Sequence, residues 1–410
     1  MELSYQFLEE IEKTYGESFY LLDTEQFKSN FREFLGEFRK IYPKTFIGYS
    51  YKTNYTPRVC EIILDEGGYA EVVSEMEFDL ALKVGVNPEM IIVNGPYKNK
   101  KALTKFLTSG SLVNLDSYRE LDNLELIAEE NPNIEFNIGL RCNFEIDDDL
   151  ISRFGFDVDH SNFPSVFKRI YKLKNVNLRG LHCHFPNRNL ESYIPRVDKM
   201  LDLVDIYFKV APEFIDVGGG YFGKMHKDLA KQFSCPVPKY WEYAEIIATK
   251  VNNHFLNLEE AKKPKLFLEP GSAVVANIMK FVVKVVDIKE VRTKRIAMTS
   301  GSKFNIGLLT SKVNMPMKVY SNVDGEDNGL LTQVSGYTCI EADYLFRDYK
   351  GNIELDDYLV FDNVGSYSVV FKPPFILPNA PVIELCKEGI KEVKRQETVE
   401  DIFTTFKFKN

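Results

Sequence analysis

Tryptophan is nearly missing from this chain, at one residue in 410, and with 5 histidines and 6 cysteines the usual metal-binding side chains are sparse too. The cysteines (Cys60, Cys142, Cys183, Cys235, Cys339 and Cys386) stand far apart, with no C-x-x-C or comparable ligand spacing. In a long chain they are expected to be reduced thiols rather than a disulfide framework, and no metal is expected. No apolar run approaches the roughly 20 residues needed to cross a bilayer, so no membrane-spanning helix is expected. Basic runs are absent as well: 51 dispersed lysines and arginines face 60 acidic residues for a formal net charge of -9. Such a chain has no electrostatic grip on nucleic acid or an anionic membrane. The opening MELSYQFLEEIEKTYGESFY lacks the basic start and apolar core of a secretory signal, and a cytoplasmic protein is expected.

What is present is a long alternation. With 410 residues the chain exceeds one ordinary core, and two domains are expected. Short apolar runs of four to seven residues recur at Thr45–Tyr51, Ala70–Val73, Met90–Val93, Ser111–Asn114, Glu135–Arg141, Asn177–His182, Glu213–Val217 and Lys265–Glu269. Their β-branched and aromatic content suits buried parallel strands. Amphipathic segments such as Pro57–Asp65, Met76–Val84 and Ser117–Glu130 lie between them. Eight strand-then-helix units predict an α/β fold, a (β/α)8 barrel.

The runs end on polar residues: Lys52, Ser74, Asn94, Asn114 with Asp116, Arg141, His182 with His184, Asp216 before Gly218–Gly220, and Glu269. Strand ends of a barrel gather at one face, where barrel enzymes keep their chemistry. After Ala276 the texture changes to strands separated by turns, at Phe281–Val286, Arg295–Met298, Val313–Val319, Leu330–Val334, Tyr358–Val364 and Val382–Leu385. This predicts a C-terminal all-β domain, a sandwich or Greek-key-like barrel. The expected divisions are residues 1–24, a segment whose strand packs with the β domain; 25–277, the barrel; and 278–410, the β domain.

Four features carry chemistry. Lys52 follows the first strand, and a lysine that forms an imine must shed its proton in a desolvated setting, which Tyr49 and Tyr51 are placed to supply. Asp216-Val-Gly-Gly-Gly offers backbone N–H groups to an anion but is neither a P-loop nor a dinucleotide fingerprint. Glu269, opening Glu-Pro-Gly, is placed to pair with a protonated pyridine nitrogen. His184 is suited to stack on an aromatic ring, while His182 and His184 as metal ligands lack a third partner at a suggestive spacing. Taken singly, each also reads as a solvated lysine, a plain turn, a capping carboxylate or a structural histidine.

Together and in this order they resemble the fold type III (alanine racemase-fold) pyridoxal phosphate-dependent decarboxylases, among them the diaminopimelate, ornithine, arginine and carboxynorspermidine decarboxylases. The resemblance runs from Phe19-Tyr-Leu-Leu-Asp to Phe375. It rests on Tyr51-Lys-Thr-Asn, Glu71-Val-Val-Ser, Arg141, Ser152-Arg-Phe-Gly, His182-Cys-His, Asp216-Val-Gly-Gly-Gly, Glu269-Pro-Gly, Gly336-Tyr-Thr-Cys-Ile-Glu-Ala-Asp and Gly365-Ser-Tyr. It implies a lyase with pyridoxal 5'-phosphate on Lys52 and the ring stacked on His184. Gly218, Gly219 and Gly220 would hold the phosphate with Tyr367; Glu269 would meet the ring nitrogen; Ser74, Arg141, Gly271 and Ser272 would line the cofactor pocket. It further implies that Cys339 of a second subunit protonates Cα, in a homodimer with shared active sites, and that Glu341, Asp343, Tyr367 and Phe375 meet the substrate.

The chain departs from that pattern where substrate and phosphate are bound. The acidic residue expected after the catalytic cysteine is Ile340, and the acidic position of the second domain reads Thr299-Ser300-Gly301. The arginine expected after Glu-Pro-Gly is Ser272, and the Gly-Ser after the stacking histidine is replaced in His184-Phe-Pro-Asn, which reassigns phosphate contacts to Asn187, Ser272 or Lys303. The expected substrate is therefore a nonstandard or conjugated amino acid of the siderophore, polyamine or secondary-metabolite type. Diaminopimelate decarboxylation in lysine biosynthesis and an amino-acid racemase or epimerase of the same fold are the alternatives. A non-catalytic cofactor carrier and a metal-dependent hydrolase using His182, His184, Asp216 and Glu269 are further rivals.

Overall fold

The computed structural model describes residues 3–146, 151–307, 313–323, 331–387 and 389–409. It divides into two compact units: Lys28–Gly223 with Cys235–Val274, and Met1–Phe27 with Lys224–Ser234 and Val275–Asn410.

The first unit is the expected barrel. Its strands are Thr45–Ser50, Tyr69–Val72, Ile91–Val93, Leu112–Leu115, Phe136–Asn143, Val176–His182, Phe214–Asp216 and Lys265–Leu268. They pair in parallel in chain order, and pairing of Lys265–Leu268 with Thr45–Ser50 closes the ring. Parallel strands leave both faces covered, which explains why the runs read as nearly continuous apolar stretches. Local chemistry starts the connecting helices. Ser74, Asn99 and Ser117 each accept a hydrogen bond from the backbone N–H three residues on, at 3.2, 3.0 and 3.3 Å. Glu77 and Glu120 reach back to the N–H groups of Val73 and Asp116, both at 2.8 Å. These reciprocal caps fix where each strand stops and its helix begins.

The second unit is a β-sheet domain. The long strand Met279–Val291 pairs with Ser18–Leu22, Tyr358–Phe361 and Lys294–Thr299. Ser18–Leu22 also pairs in parallel with Val382–Cys386, so the early strand lies inside this sheet. Two strands, Tyr344–Lys350 and Gly389–Lys394, were not foreseen, and the run placed at Val313–Val319 forms its strand at Met317–Tyr320. Leu330, the start of the run placed at Leu330–Val334, lies outside the described residues. Among the described residues no helix is long and apolar enough to cross a membrane.

Candidate active site

The interior of the barrel is built in two layers, and the period of two along each strand builds them. The lower layer is apolar: Ile92, Phe214 and Phe267 pack together with Phe46, Tyr69 and Leu112 against them. Ring centroids of Tyr69 and Phe267 lie 4.9 Å apart, and the Lys265 ammonium sits 5.3 Å from the centre of Phe46. Two residues on along each strand come Glu71, Asn94, Asn114, Asp216 and Glu269, and His182 joins them from the sixth. All six are buried. A methyl group at Gly48 would come within 3.2 Å of Ile92 Cδ1, while the Glu71 Cβ and Glu269 Cγ would lie at ordinary contact distances of 3.6 and 3.9 Å.

These polar groups form one connected chain. Asn114 Nδ2 donates to Asn94 Oδ1 at 2.8 Å, and Asn94 Nδ2 donates to both Glu71 Oε1 (3.0 Å) and Glu269 Oε1 (2.5 Å). His182 Nε2 lies 3.4 Å from Glu269 Oε2, and His184 Nδ1 lies 3.9 Å from the same oxygen. The Lys52 ammonium is ion-paired with Glu71 and donates to Ser50 Oγ at 3.4 Å. Burial works against charge on Glu269, yet His182 and then Lys52 outweigh it and hold this carboxyl well below the usual range. Asp216 goes the other way: burial, then the Glu269 charge, push its carboxyl up. Burial and the Lys52 charge push His184 well below the ordinary imidazole range, so its ring is neutral at physiological pH.

The glycine turn lies against His184. Gly218 N–H donates to Asp216 Oδ1 at 2.8 Å and Gly219 N–H to His184 Nδ1 at 3.0 Å. The Gly220 N–H takes no partner among the described residues. Gly218 and Gly220 have φ of +70° and +96°, a conformation that glycine adopts without strain. A side chain at Gly219 would come within 2.6 Å of the Glu269 carbonyl oxygen.

The other expected barrel residues are placed as follows. Arg141 is buried, bonds Asp116 at 3.2 Å and lies 4.7 Å over the Phe154 ring. The Ser74 hydroxyl is engaged as a helix cap. Gly271 lies against Thr53, and Ser272 opens the short helix Ser272–Val275. The Lys52 amine meets a carboxylate and a hydroxyl; Tyr49 and Tyr51 are both wholly buried, and Tyr49 donates to the Asn54 carbonyl at 2.7 Å. A buried carboxylate is the stronger neighbour because a charge acts at a distance at which a ring only excludes water.

In the β unit, Cys339 and Glu341 are exposed and Phe375 is 40% exposed, its ring 6.5 Å from Phe304. Tyr367 has φ +55°, an uncommon conformation for a non-glycine residue. Asp343 is buried, and both its oxygens are committed, one to the Ser302–Lys303 segment and the other to its own loop. One accepts from Ser302 Oγ and Lys303 N at 3.0 and 2.8 Å, the other from Thr338 N and Oγ1 at 3.2 and 2.6 Å. Lys303 Nζ donates to the Ala342 carbonyl at 2.8 Å, and Thr299 to that of Ser335 at 3.0 Å.

Residues 28–276, more than half of the chain, match the pyridoxal binding domain of the pyridoxal-dependent decarboxylases. The chain belongs to the pyridoxal-dependent decarboxylase family. The diaminopimelate decarboxylase of Aquifex aeolicus is 25% identical over 409 residues, covering 96% of this chain and 93% of that one. Among solved structures, the diaminopimelate decarboxylase of Helicobacter pylori complexed with L-lysine superposes with TM-score 0.83 at 21% identity, covering 97% of this chain and 98% of that one. The arginine decarboxylase of Paramecium bursaria Chlorella virus does so with TM-score 0.74 at 17% identity, over 90% and 97%.

The enzyme is thus a pyridoxal phosphate-dependent decarboxylase, and its polar layer fits that cofactor. It combines a lysine amine that would form the imine, a buried carboxylate that would face a ring nitrogen and an unsatisfied backbone N–H in a glycine turn. His182 Nδ1 and Asp216 Oδ2 are buried without a protein partner. His182, Asp216 and Glu269 also bring ligand atoms within 4.8 Å of one another, so the third partner that a metal reading lacked in the sequence is present in space. His184, which that reading also used, is not in the cluster. With the cofactor of that family in place, the same three side chains would stand beside its ring. Asn94 was visible only as a strand end and Glu71 only as part of a motif; their shared amide bridge is a contact between strands and has no signature along the chain.

Proposed function

We propose that this enzyme removes the α-carboxylate of a nonstandard or conjugated amino acid whose distal end is not a free ammonium. The observation that carries the decarboxylase chemistry is the buried, anionic Glu269, fixed by Asn94 at 2.5 Å beside His182. When bound, the cofactor supplies a conjugated sink for the electrons left on Cα, and an anion at its ring nitrogen keeps that sink strong. Lys52 carries the cofactor, and neutral His184 offers its ring face. Gly220 N–H, with Tyr367, receives the phosphate; Arg141 and Ser74 border the pocket. Glu71, paired with Lys52, is the group beside the amine able to take or return a proton. Cys339, supplied by the second subunit of a homodimer, returns a proton to Cα.

The substrate reading rests on what faces the distal end. Ile340 and Thr299 replace carboxylates, and both Asp343 oxygens are already taken by Ser302, Lys303 and Thr338. With those counter-charges missing a distal ammonium is disfavoured, because less of its charge would be paired; Glu341, exposed one residue after Ile340, is the carboxylate that remains. A second reading, diaminopimelate itself, is favoured by the name of the Aquifex aeolicus relative. The test is carbon dioxide release from substrate pairs that differ only at the distal amine: ornithine against Nδ-acetylornithine, and diaminopimelate against its mono-N-acyl form. A kcat/KM at least about tenfold higher for the acylated member is expected. Preference for free diaminopimelate would establish the second reading, and absence of carbon dioxide with racemised product would overturn decarboxylation itself.

A further inference from the structure

We infer that Arg196 is the positioning residue that charges and orients the glycine turn for the cofactor's phosphate. The inference rests on the proposed placement of that phosphate at Gly220.

Arg196 lies in the helix Tyr193–Tyr207 and is wholly buried. Its guanidinium donates through Nη1 to the Gly219 carbonyl at 3.0 Å and through Nη2 to the Asn187 carbonyl at 3.2 Å. The plane lies 4.0 Å from the centre of the Tyr193 ring, and Nε has no partner. Among the described residues no carboxylate stands within ion-pair distance of it. Three other buried or half-buried cations of the barrel are neutralised: Lys52 by Glu71, Lys98 by Glu120, Arg141 by Asp116. A buried charge without a counter-ion is costly unless something in the working protein offsets it. Carbonyl dipoles and a ring face offset part; a bound dianion would offset the rest.

The peptide geometry points the same way. The Gly219 carbonyl also accepts from the Tyr193 hydroxyl at 3.0 Å, so two donors hold it toward the helix. In a trans peptide the N–H of the next residue points to the opposite side. The Gly220 N–H is therefore turned away from Arg196, toward the open side of the turn, and it is the N–H of this turn left without a partner. A guanidinium bonded to the carbonyl end polarises that peptide and strengthens its N–H as an anion donor. Ser272 provides no cation after Glu-Pro-Gly, and Arg196 supplies the charge from beneath. Arg188 is the nearest competitor, but it is only half-buried, 5.4 Å over the Phe222 ring, where solvent screens it.

The test uses the apoenzyme and two ligands that form the same imine, pyridoxal phosphate and pyridoxal. The readout is the ratio of their equilibrium dissociation constants, with inorganic phosphate as a third probe. Arg196→Gln is expected to reduce the preference for the phosphorylated ligand by about 10- to 100-fold and to weaken inorganic phosphate in parallel, with pyridoxal changed less than about threefold. Arg196→Lys restores part of the preference, Tyr193→Phe costs less than about fivefold, and Arg188→Gln leaves the ratio unchanged. If Arg196→Gln does not fold, the lysine and phenylalanine variants carry the same comparison. An unchanged ratio with a lower apoenzyme melting temperature makes Arg196 merely structural and overturns the inference, as does a loss that follows Arg188. If Gly220→Ala also leaves the ratio unchanged, the placement of the phosphate fails instead.

Discussion

Glu269→Gln separates the electronic role of the buried carboxylate from its shape. The amide oxygen can still accept from Asn94, which stands 2.5 Å from Glu269 Oε1, so the polar layer keeps its packing while the charge is lost. A hydrogen bond to a charged group contributes about 1.5–3 kcal/mol, and about 1.4 kcal/mol is a factor of ten in rate. Carbon dioxide release should therefore fall about 10- to 150-fold, through the chemical step. Cofactor affinity should change less than about fivefold, because Lys52 and the glycine turn are untouched. Asp216 is the complication: after burial, Glu269 is the main cause that pushes its carboxyl up, so losing that charge lets Asp216 ionise more readily and substitute in part. Adding Asp216→Asn to Glu269→Gln should then cost about another tenfold. The assay is carbon dioxide release at full cofactor loading, beside a cofactor titration. A single variant within about threefold of the wild-type rate would refute the assignment.

Three further outcomes follow from the same geometry. Burial pushes Glu77 up to about 7, against the Val73 N–H that it accepts at 2.8 Å. Its folded value lies above the unfolded value of about 4.3, so the folded chain holds the extra proton in between and loses stability as pH rises through that window. Glu77→Gln should gain about 2–3 kcal/mol relative to wild type between about pH 5 and pH 8, read by melts at both; equal differences at the two pH values would contradict it. Asn94→Leu strands one oxygen each of Glu71 and Glu269 and the Asn114 amide, and should lower apoenzyme stability by about 3 kcal/mol or more in a denaturant titration. A loss below about 1 kcal/mol would mean that the bridge does not matter. Cys339→Ala should keep the cofactor absorbance but lose clean formation of the amine; normal turnover would remove Cys339 as proton donor.

Much of this architecture is legible in one dimension because the barrel obeys a period of two. Phe267 and Glu269, Ile92 and Asn94, or Tyr69 and Glu71 are written two apart, and the same spacing stacks floor and polar layer in space. The reciprocal caps at Ser74 and Ser117 likewise mark helix starts in the sequence. The edges of the β unit were harder. In Tyr344–Lys350 the apolar start Tyr344-Leu345-Phe346 breaks off at Arg347-Asp348, and Gly389–Lys394 is half exposed and mostly charged, so neither strand shows a sustained apolar run. Contacts between strands were hardest: the Asn94 bridge and the arginine beneath Gly219 join residues 175 and 23 positions apart. No local spacing encodes such pairs; a buried arginine on a helix reads in sequence like any solvated one.

The most direct measurement of the central claim is borohydride reduction of the holoenzyme followed by peptide mapping. The account predicts that the near-visible imine band disappears and that the reduced pyridoxyl group is found on Lys52 alone. A band insensitive to borohydride, or the label on any other lysine, would contradict it.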